Sequence, residues 1–267
     1  MNTSPVYLAS DIHLGAVSPE TERRFITWLE AVGAESKLLV LNGDLFDFWF
    51  EYRQAIPRGY TRVLGALSAL VDSGVTVHLT GGNHDWWGGS YLRDEIGVTF
   101  HQRPVELDLA GHRVLVAHGD GLGPGDAGYR VLQRVLQNPV FVAAFRWTHP
   151  DIGGWLARRV SSTAQRQQKQ GTSGSRSRSP ILEQWALDQL QKRSDLAGIT
   201  MGHTHLPLLR VSPFGRWYLN TGDWVDHRTF AILRPGAPPT LYDWTRDGAS
   251  EHVAAGSPAQ GSLAQGS

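Results

Sequence analysis

Five short apolar runs in this chain end in the same way, and that recurrence restricts the fold more than any other feature. "VYLAS" (6–10) leads into Asp11 and His13, and "KLLVLNGD" (37–44) ends on Asp44. "VTVHLTGGNHD" (75–85) carries Asn83 and His84, "HRVLVAHGD" (112–120) carries His118, and "GITMGHTH" (198–205) carries His203 and His205. Each run has the length and apolar character of a buried strand bounded by turn residues. Gly43, Gly82, Gly119 and Gly202 sit beside the polar groups, where the chain must turn tightly and let other backbone approach. Open α/β sheets bind ligands outside the carboxyl ends of their strands. Five strand ends that all offer oxygen or imidazole groups therefore point to one site assembled from a whole sheet.

The intervening segments read as helices. In "SPETERRFITWLEAVG" (18–33) Ser18 caps the first turn, Pro19 suits the first position, and Phe25, Ile26, Leu29 and Val32 form an apolar face. In "YTRVLGALSALVDSG" (60–74) the face is Val63, Leu67, Leu70 and Val71. Strands alternating with helices predict an α/β layered fold, and "RWYLNTGDW" (216–224), "TFAILR" (229–234) and "TLYDW" (240–244) predict β-rich material at its end. One domain is expected over residues 1–246, with an inserted helical cap over 122–195. Residues 161–180 read as a polar flexible loop, and 247–267 as a disordered tail too poor in apolar residues to order itself.

The chain has no cysteine, so a metal must be held by nitrogen and oxygen. Asp44 has two carboxylate oxygens and can bridge two cations. Asp11 and His13 can share one ion if the chain bends at the strand end. Asn83 offers an amide oxygen, and His118, His203 and His205 offer nitrogens. Such mixed sites suit manganese, iron or zinc better than calcium, and a pair of ions about 3.5–4 Å apart can clamp a phosphoryl oxygen. His84 stands where it can meet a phosphate or leaving group, and Asp85 where it can fix the turn or orient a histidine. His78 reads as a core or edge residue and His101, His112 and His252 as loop residues, while spacing does not place His149 and His227.

Charge is uneven although the total is zero. Between Ala127 and Arg178 stand Arg130, Arg134, Arg146, Arg158, Arg159, Arg166, Lys169, Arg176 and Arg178, against the single acid Asp151. The same segment holds "VLQRVLQNPVFVAAFRWTHPDIGGWLARRV", rich in Val, Leu, Phe and Trp. Arginines suit phosphates, and apolar faces suit acyl chains or an anionic membrane surface. Zero net charge gives no track for nucleic acid. No run approaches the roughly 18 apolar residues of a membrane span, and no leader pattern opens the chain. A cytoplasmic protein, peripheral on the inner face of the inner membrane, is the expected setting.

The series "DIH", "GDLFD", "GNHD", "AHGD" and "GHTH" resembles the calcineurin-like metallophosphoesterase superfamily over roughly residues 5–225. The resemblance implies a four-layer α/β/β/α sandwich with a dinuclear centre. It implies one metal on Asp11, His13, Asp44 and His205, and a second on Asp44, Asn83, His118 and His203. His84 matches the superfamily's non-ligand histidine, which assists phosphoester cleavage, so Asn83 and His84 are the expected catalytic pair. The longer stretches "GDLFDFWFEYRQAIPRGYTRVLGAL", "GNHDWW", "AHGDGLGPGDAGYR", "THPDIGGWLARR" and "NTGDW" resemble the bacterial UDP-2,3-diacylglucosamine pyrophosphohydrolases of lipid A biosynthesis. That implies two divalent ions, usually manganese, and cleavage of a UDP-linked diacylated glucosamine lipid to UMP and 2,3-diacylglucosamine 1-phosphate. It carries substrate contacts onto Asp126 and Tyr129, with Arg158 and Ser162, or in their place Arg159 and Ser161, as candidates at the phosphate. In the best-known branch the loop reads G-N-R-D, whereas here His84 holds the Arg position, as in ordinary phosphoesterases. A general phosphoesterase acting on a small diester, nucleotide or phosphoprotein is the alternative.

Overall fold

The computed structural model describes residues 4–155 and 175–252. Two sheets stack face to face. The first has seven strands in the order β12-β11-β10-β1-β2-β3-β4, and the second five in the order β5-β6-β7-β9-β8. In the first sheet β1 (Val6–Ala9), β2 (Leu38–Asn42), β3 (Thr76–Thr80) and β4 (Thr99–His101) run parallel. β10 (Thr229–Leu233), β11 (Thr240–Thr245) and β12 (Gly248–Glu251) add an antiparallel flank. In the second sheet β6 (His112–Val116), β7 (Gly198–Met201) and β9 (Trp217–Thr221) are parallel, edged by antiparallel β5 (Val105–Leu109) and β8 (Pro207–Val211).

Strand alternation builds three separate cores from these two sheets. Tyr7, Ala9, Leu39, Leu41, Val77 and Leu79 face out of the first sheet onto α1 (Pro19–Glu35) and α2 (Thr61–Asp72), where they meet Phe25, Trp28, Leu67 and Leu70. Their neighbours Val6, Leu8 and Val40 face the other way and pack against Val114, Val116, Trp217 and Leu219 of the second sheet. On the far face of that sheet Ile199, Met201 and Tyr218 meet Leu182, Ala186 and Leu190 of α5 (Ser179–Lys192). Three cores between four layers give the α/β/β/α sandwich expected from the sequence. The helix starts also follow the sequence: Ser18 accepts from the Thr21 N–H, and Pro19 follows it.

Two boundaries differ from the expectation. α5 lies within the 122–195 segment assigned to the cap, yet its apolar stripe is buried in the sandwich. The described part of the cap is therefore α3 (Ala127–Leu136), α4 (Pro139–Phe145) and a helical stretch at 150–155. At the other end, residues 248–251 fall in the expected tail but form β12, because an open sheet edge at β11 gives even a polar strand hydrogen-bonding partners. Residues 253–267, and the greater part of the 161–180 loop, lie outside the described residues. No helix among the described residues is long and apolar enough to cross a membrane.

The aromatic run 46–52 divides. Phe46 and Trp49 stack at 4.3 Å inside the first core, while Phe50 meets Phe145 of α4 at 4.7 Å. The paired tryptophans after the third strand are two anchors: Trp86 Nε1 donates to the Gln102 carbonyl, and Trp87 Nε1 to the Leu136 carbonyl at the end of α3. Leu8, fully buried between the sheets, should cost about 2–5 kcal/mol on Leu8→Ala. Urea unfolding checks this, with a markedly smaller loss expected for Leu209→Ala at the edge of the same core.

Candidate metal centre

The strands reach the site straight and leave it sharply bent. Asp11, His13, Asp44, His203 and His205 have positive φ, at 53°, 50°, 52°, 66° and 60°. Among the described residues only Ala110 and Arg228 are further non-glycine cases. Each such residue costs on the order of 1–3 kcal/mol and persists where its surroundings hold it. Here the bent segments hold one another: Asp11 N–H donates to Gly43 O, His13 N–H to Asp44 O, and Gly202 N–H to His118 O.

The bends bring the expected ligands together. Asp44 Oδ2 lies 3.2 Å from His118 Nε2 and 3.7 Å from His13 Nε2. Asp11 Oδ1 lies 3.4 Å from His205 Nε2 and 4.0 Å from His13 Nε2. Asn83 Oδ1 and His203 Nδ1 are 3.0 Å apart. The imidazoles form two neighbourhoods, His13 with His205 at 5.0 Å and His118 with His203 at 5.3 Å between ring centres. Asp44 stands between them. His84 is at the same place, its ring 4.8 Å from that of His13.

Three glycines give this cluster its room. A Cβ on Gly82 would overlap the Asp44 carboxylate and come within 2.6 Å of its backbone nitrogen. A Cβ on Gly43 would strike His118, and one on Gly202 would strike Asp11 and Ser10.

Hydrogen bonds aim the rings. His118 Nδ1 donates to the Asn42 carbonyl and His84 Nδ1 to the Asp47 carbonyl, leaving Nε2 of each ring toward the cluster. His205 Nδ1 bonds Asp223 at 2.9 Å, and Asp223 also meets His227 Nδ1 at 3.0 Å. Asp85 fixes the turn: buried, it accepts from the N–H groups of Gly82, Asp44 and Phe46, locking the loops after β2 and β3 together.

Burial would push the Asp44 carboxyl up, but His118, His84 and His13 outweigh it and hold its pKa well below the usual range. Burial, with His118 beside it, pushes His203 down to about 3, so it presents a neutral ring. Burial also opposes protonation of His84, yet Asp44 and Asp47 prevail and raise its pKa.

A divalent metal fits this donor set. His13 Nε2 and His118 Nε2 are buried without a hydrogen bond, which costs about 1–3 kcal/mol each unless something else binds them. Asp11, His13 and His205 place one donor atom apiece within 4.8 Å of each other, as do Asp11, Asp44 and His118.

Family comparison agrees with the geometry. The Calcineurin-like phosphoesterase family model matches residues 4–207. The chain belongs to the calcineurin-like phosphoesterase family. Among curated relatives of this phosphoesterase, the UDP-2,3-diacylglucosamine hydrolase of Porphyromonas gingivalis is 33% identical over 86% of this chain and 94% of its own length. Those of Bordetella pertussis and Aeromonas hydrophila are 30% and 31% identical, over 84% and 85% of this chain and 87% and 93% of their own. The phosphoesterase is a metal-dependent hydrolase.

Not every expected site residue joins the cluster. Tyr129 donates its hydroxyl to Asp120, and Asp126 lies 3.4 Å from Arg178 Nε, so both help root the cap. Arg158 and Ser162 lie outside the described residues. Of the unplaced histidines, His227 braces Asp223, and His149 is exposed on the cap. His78 bonds His101 at 2.9 Å, which places His101 on β4 and not in a loop. Sequence reasoning assigned no role to Asp223, although "NTGDW" repeats the strand, glycine, acid signal of the second run at the end of β9. Gly82→Ala should leave the fold intact by circular dichroism but abolish tight metal uptake, measured by equilibrium dialysis; normal uptake would contradict the fit described here.

Proposed function

We propose that this chain hydrolyses the pyrophosphate bond of UDP-2,3-diacylglucosamine, yielding UMP and 2,3-diacylglucosamine 1-phosphate, with two divalent ions, manganese first among them. The observation that carries the reading is a complete set of metal donors beneath a basic and apolar cap, in a chain similar along most of its length to hydrolases of that name. Asp11, His13, Asp44 and His205 would hold one ion, and Asp44, Asn83, His118 and His203 the other. When bound, the ions supply Lewis acidity to a phosphoryl oxygen and water reactive at neutral pH.

The chain's own groups do the rest. Water adds to the phosphorus nearer uridine, the bond from that phosphorus to the bridging oxygen breaks, and the lipid phosphate departs with that oxygen. Asn83 and His84 flank the reacting phosphorus. With Nδ1 committed to Asp47 O, His84 offers Nε2 to the phosphoryl group and can protonate the departing oxygen. Asp223 keeps the His205 ring turned to its ion. Around the cap, Val140, Trp147, Ile152 and Trp155 are exposed. Such surface favours acyl chains, and with the nearby arginines it favours peripheral contact with an anionic membrane on its cytoplasmic side.

The direct test adds manganese back to metal-stripped protein with UDP-2,3-diacylglucosamine and, in parallel, bis(4-nitrophenyl) phosphate. Manganese-dependent release of UMP is the expected result. Turnover of the plain diester alone would contradict the lipid substrate and favour a general phosphoesterase. His84→Ala should lower kcat by about 10²–10⁴-fold, the usual weight of a positioned proton donor, while metal content stays at the wild-type level by atomic emission.

A further inference from the structure

Helix α3 is built inside out. Arg130, Gln133, Arg134 and Gln137 recur at three- and four-residue spacing, so they share one face. That polar face lines a cavity of about 280 Å³, with Arg130, Gln133 and Gln137 half-buried along it and Arg134 exposed at its mouth. The apolar residues Val131, Leu132 and Val135 stand outward instead, 57%, 52% and 51% exposed. A surface helix normally does the reverse. The cavity therefore asks for a polar occupant.

Its position says which part of a substrate that is. The cavity reaches His118 and Gly119, so its contents adjoin a phosphate at the metal centre. The wall opposite α3 is Trp86 with Gln102 and Arg103 of the β4–β5 loop. Trp86 is pinned by its indole N–H on the Gln102 carbonyl, at 2.7 Å. Asp120 is engaged already by Tyr129 and Gln133. The side chains of Gln102, Arg103, Arg134 and Gln137 make no hydrogen bond or ion pair among the described residues. Two guanidiniums with no partner among the described residues, two amides that both donate and accept, and an aromatic side chain match a flat base with carbonyl acceptors and an imide N–H, on a sugar with hydroxyls. Ligand cavities run from roughly 300 Å³ upward, so this one suits a single small polar group and not paired acyl chains.

We propose that this cavity receives the uridine half of the substrate, with Arg103, Arg134, Gln102 and Gln137 as its specificity-determining residues; the inference rests on the hydrolase reading above. The cap then sorts the substrate by its two faces, nucleotide inward and lipid outward.

Calorimetric titration of UMP into the manganese-loaded full chain tests this without turnover. UMP should bind the wild type, and Arg103→Ala and Arg134→Ala should each weaken it about tenfold, the weight of a lost charge-assisted hydrogen bond. Arg134→Lys should recover part of the loss, and thermal melts should match because both arginines are exposed and have no partner among the described residues. The KM for UDP-2,3-diacylglucosamine should rise in step. UMP affinity unchanged in the double variant would overturn the assignment. So would inorganic phosphate losing affinity by the same factor as UMP, since the site would then read phosphate alone. A protein that binds UMP through these arginines yet leaves the UDP-lipid intact would overturn the hydrolase reading while keeping the cavity as a nucleotide site.

Discussion

One buried carboxylate oxygen, Asp44 Oδ2, stands 3.2 Å from an imidazole of one loop pair and 3.7 Å from an imidazole of another. Taking a carboxylate out of water costs several kcal/mol unless its surroundings compensate. Three histidines do so, and the His84 N–H adds a bond to Oδ1. The same carboxylate belongs to two groups of donors that could hold a metal, one with His13 and His84 and one with Asp11 and His118. Gly43 and Gly82 are glycine because any side chain would fill the space that Asp44 and His118 occupy.

Holding that carboxylate in place demands a rigid frame. The left-handed bends at Asp11, His13, Asp44, His203 and His205 are each unfavourable in isolation. They are offset by the three cores beneath them, which fix the directions of the strands, and by the backbone bonds between bent segments. The site sits at the carboxyl ends of parallel strands from both sheets, so inter-sheet packing at Leu8, Val40, Val116 and Leu219 sets the distance between its halves. A phosphoesterase centre of this kind is a property of the sandwich more than of any single loop.

Much of this was legible in the sequence because the physics is local. Apolar runs, flanking glycines and strand-end ligands sit next to each other in the chain, and Ser18-Pro19 announces the first helix. What escaped depends on contacts distant in sequence. β4 has three residues, too few for a periodic signal, and β12 is polar and exists because β11 offers it an edge. α5 carries an ordinary apolar stripe, and nothing near it in sequence says that the stripe meets β7 and β9 rather than a cap partner. Asp85 fixes its turn, as expected, through the Gly82 N–H; that it also clamps the Asp44 and Phe46 N–H groups, and that Asp223 braces His205, emerges only when loops some 40 and 18 residues apart are folded together. The bond of the Tyr129 hydroxyl to the half-buried Asp120, nine residues back, has no signal in the sequence either.

The central claim is that Asp44 joins two metals into one centre. Electron paramagnetic resonance during titration of manganese into metal-stripped protein tests it most directly. The account predicts two ions per chain at saturation, with the multiline signal of exchange-coupled manganese, as a shared carboxylate and a separation of about 3.5–4 Å require. Saturation at one ion, or two ions giving only the six-line signal of isolated manganese, would contradict it.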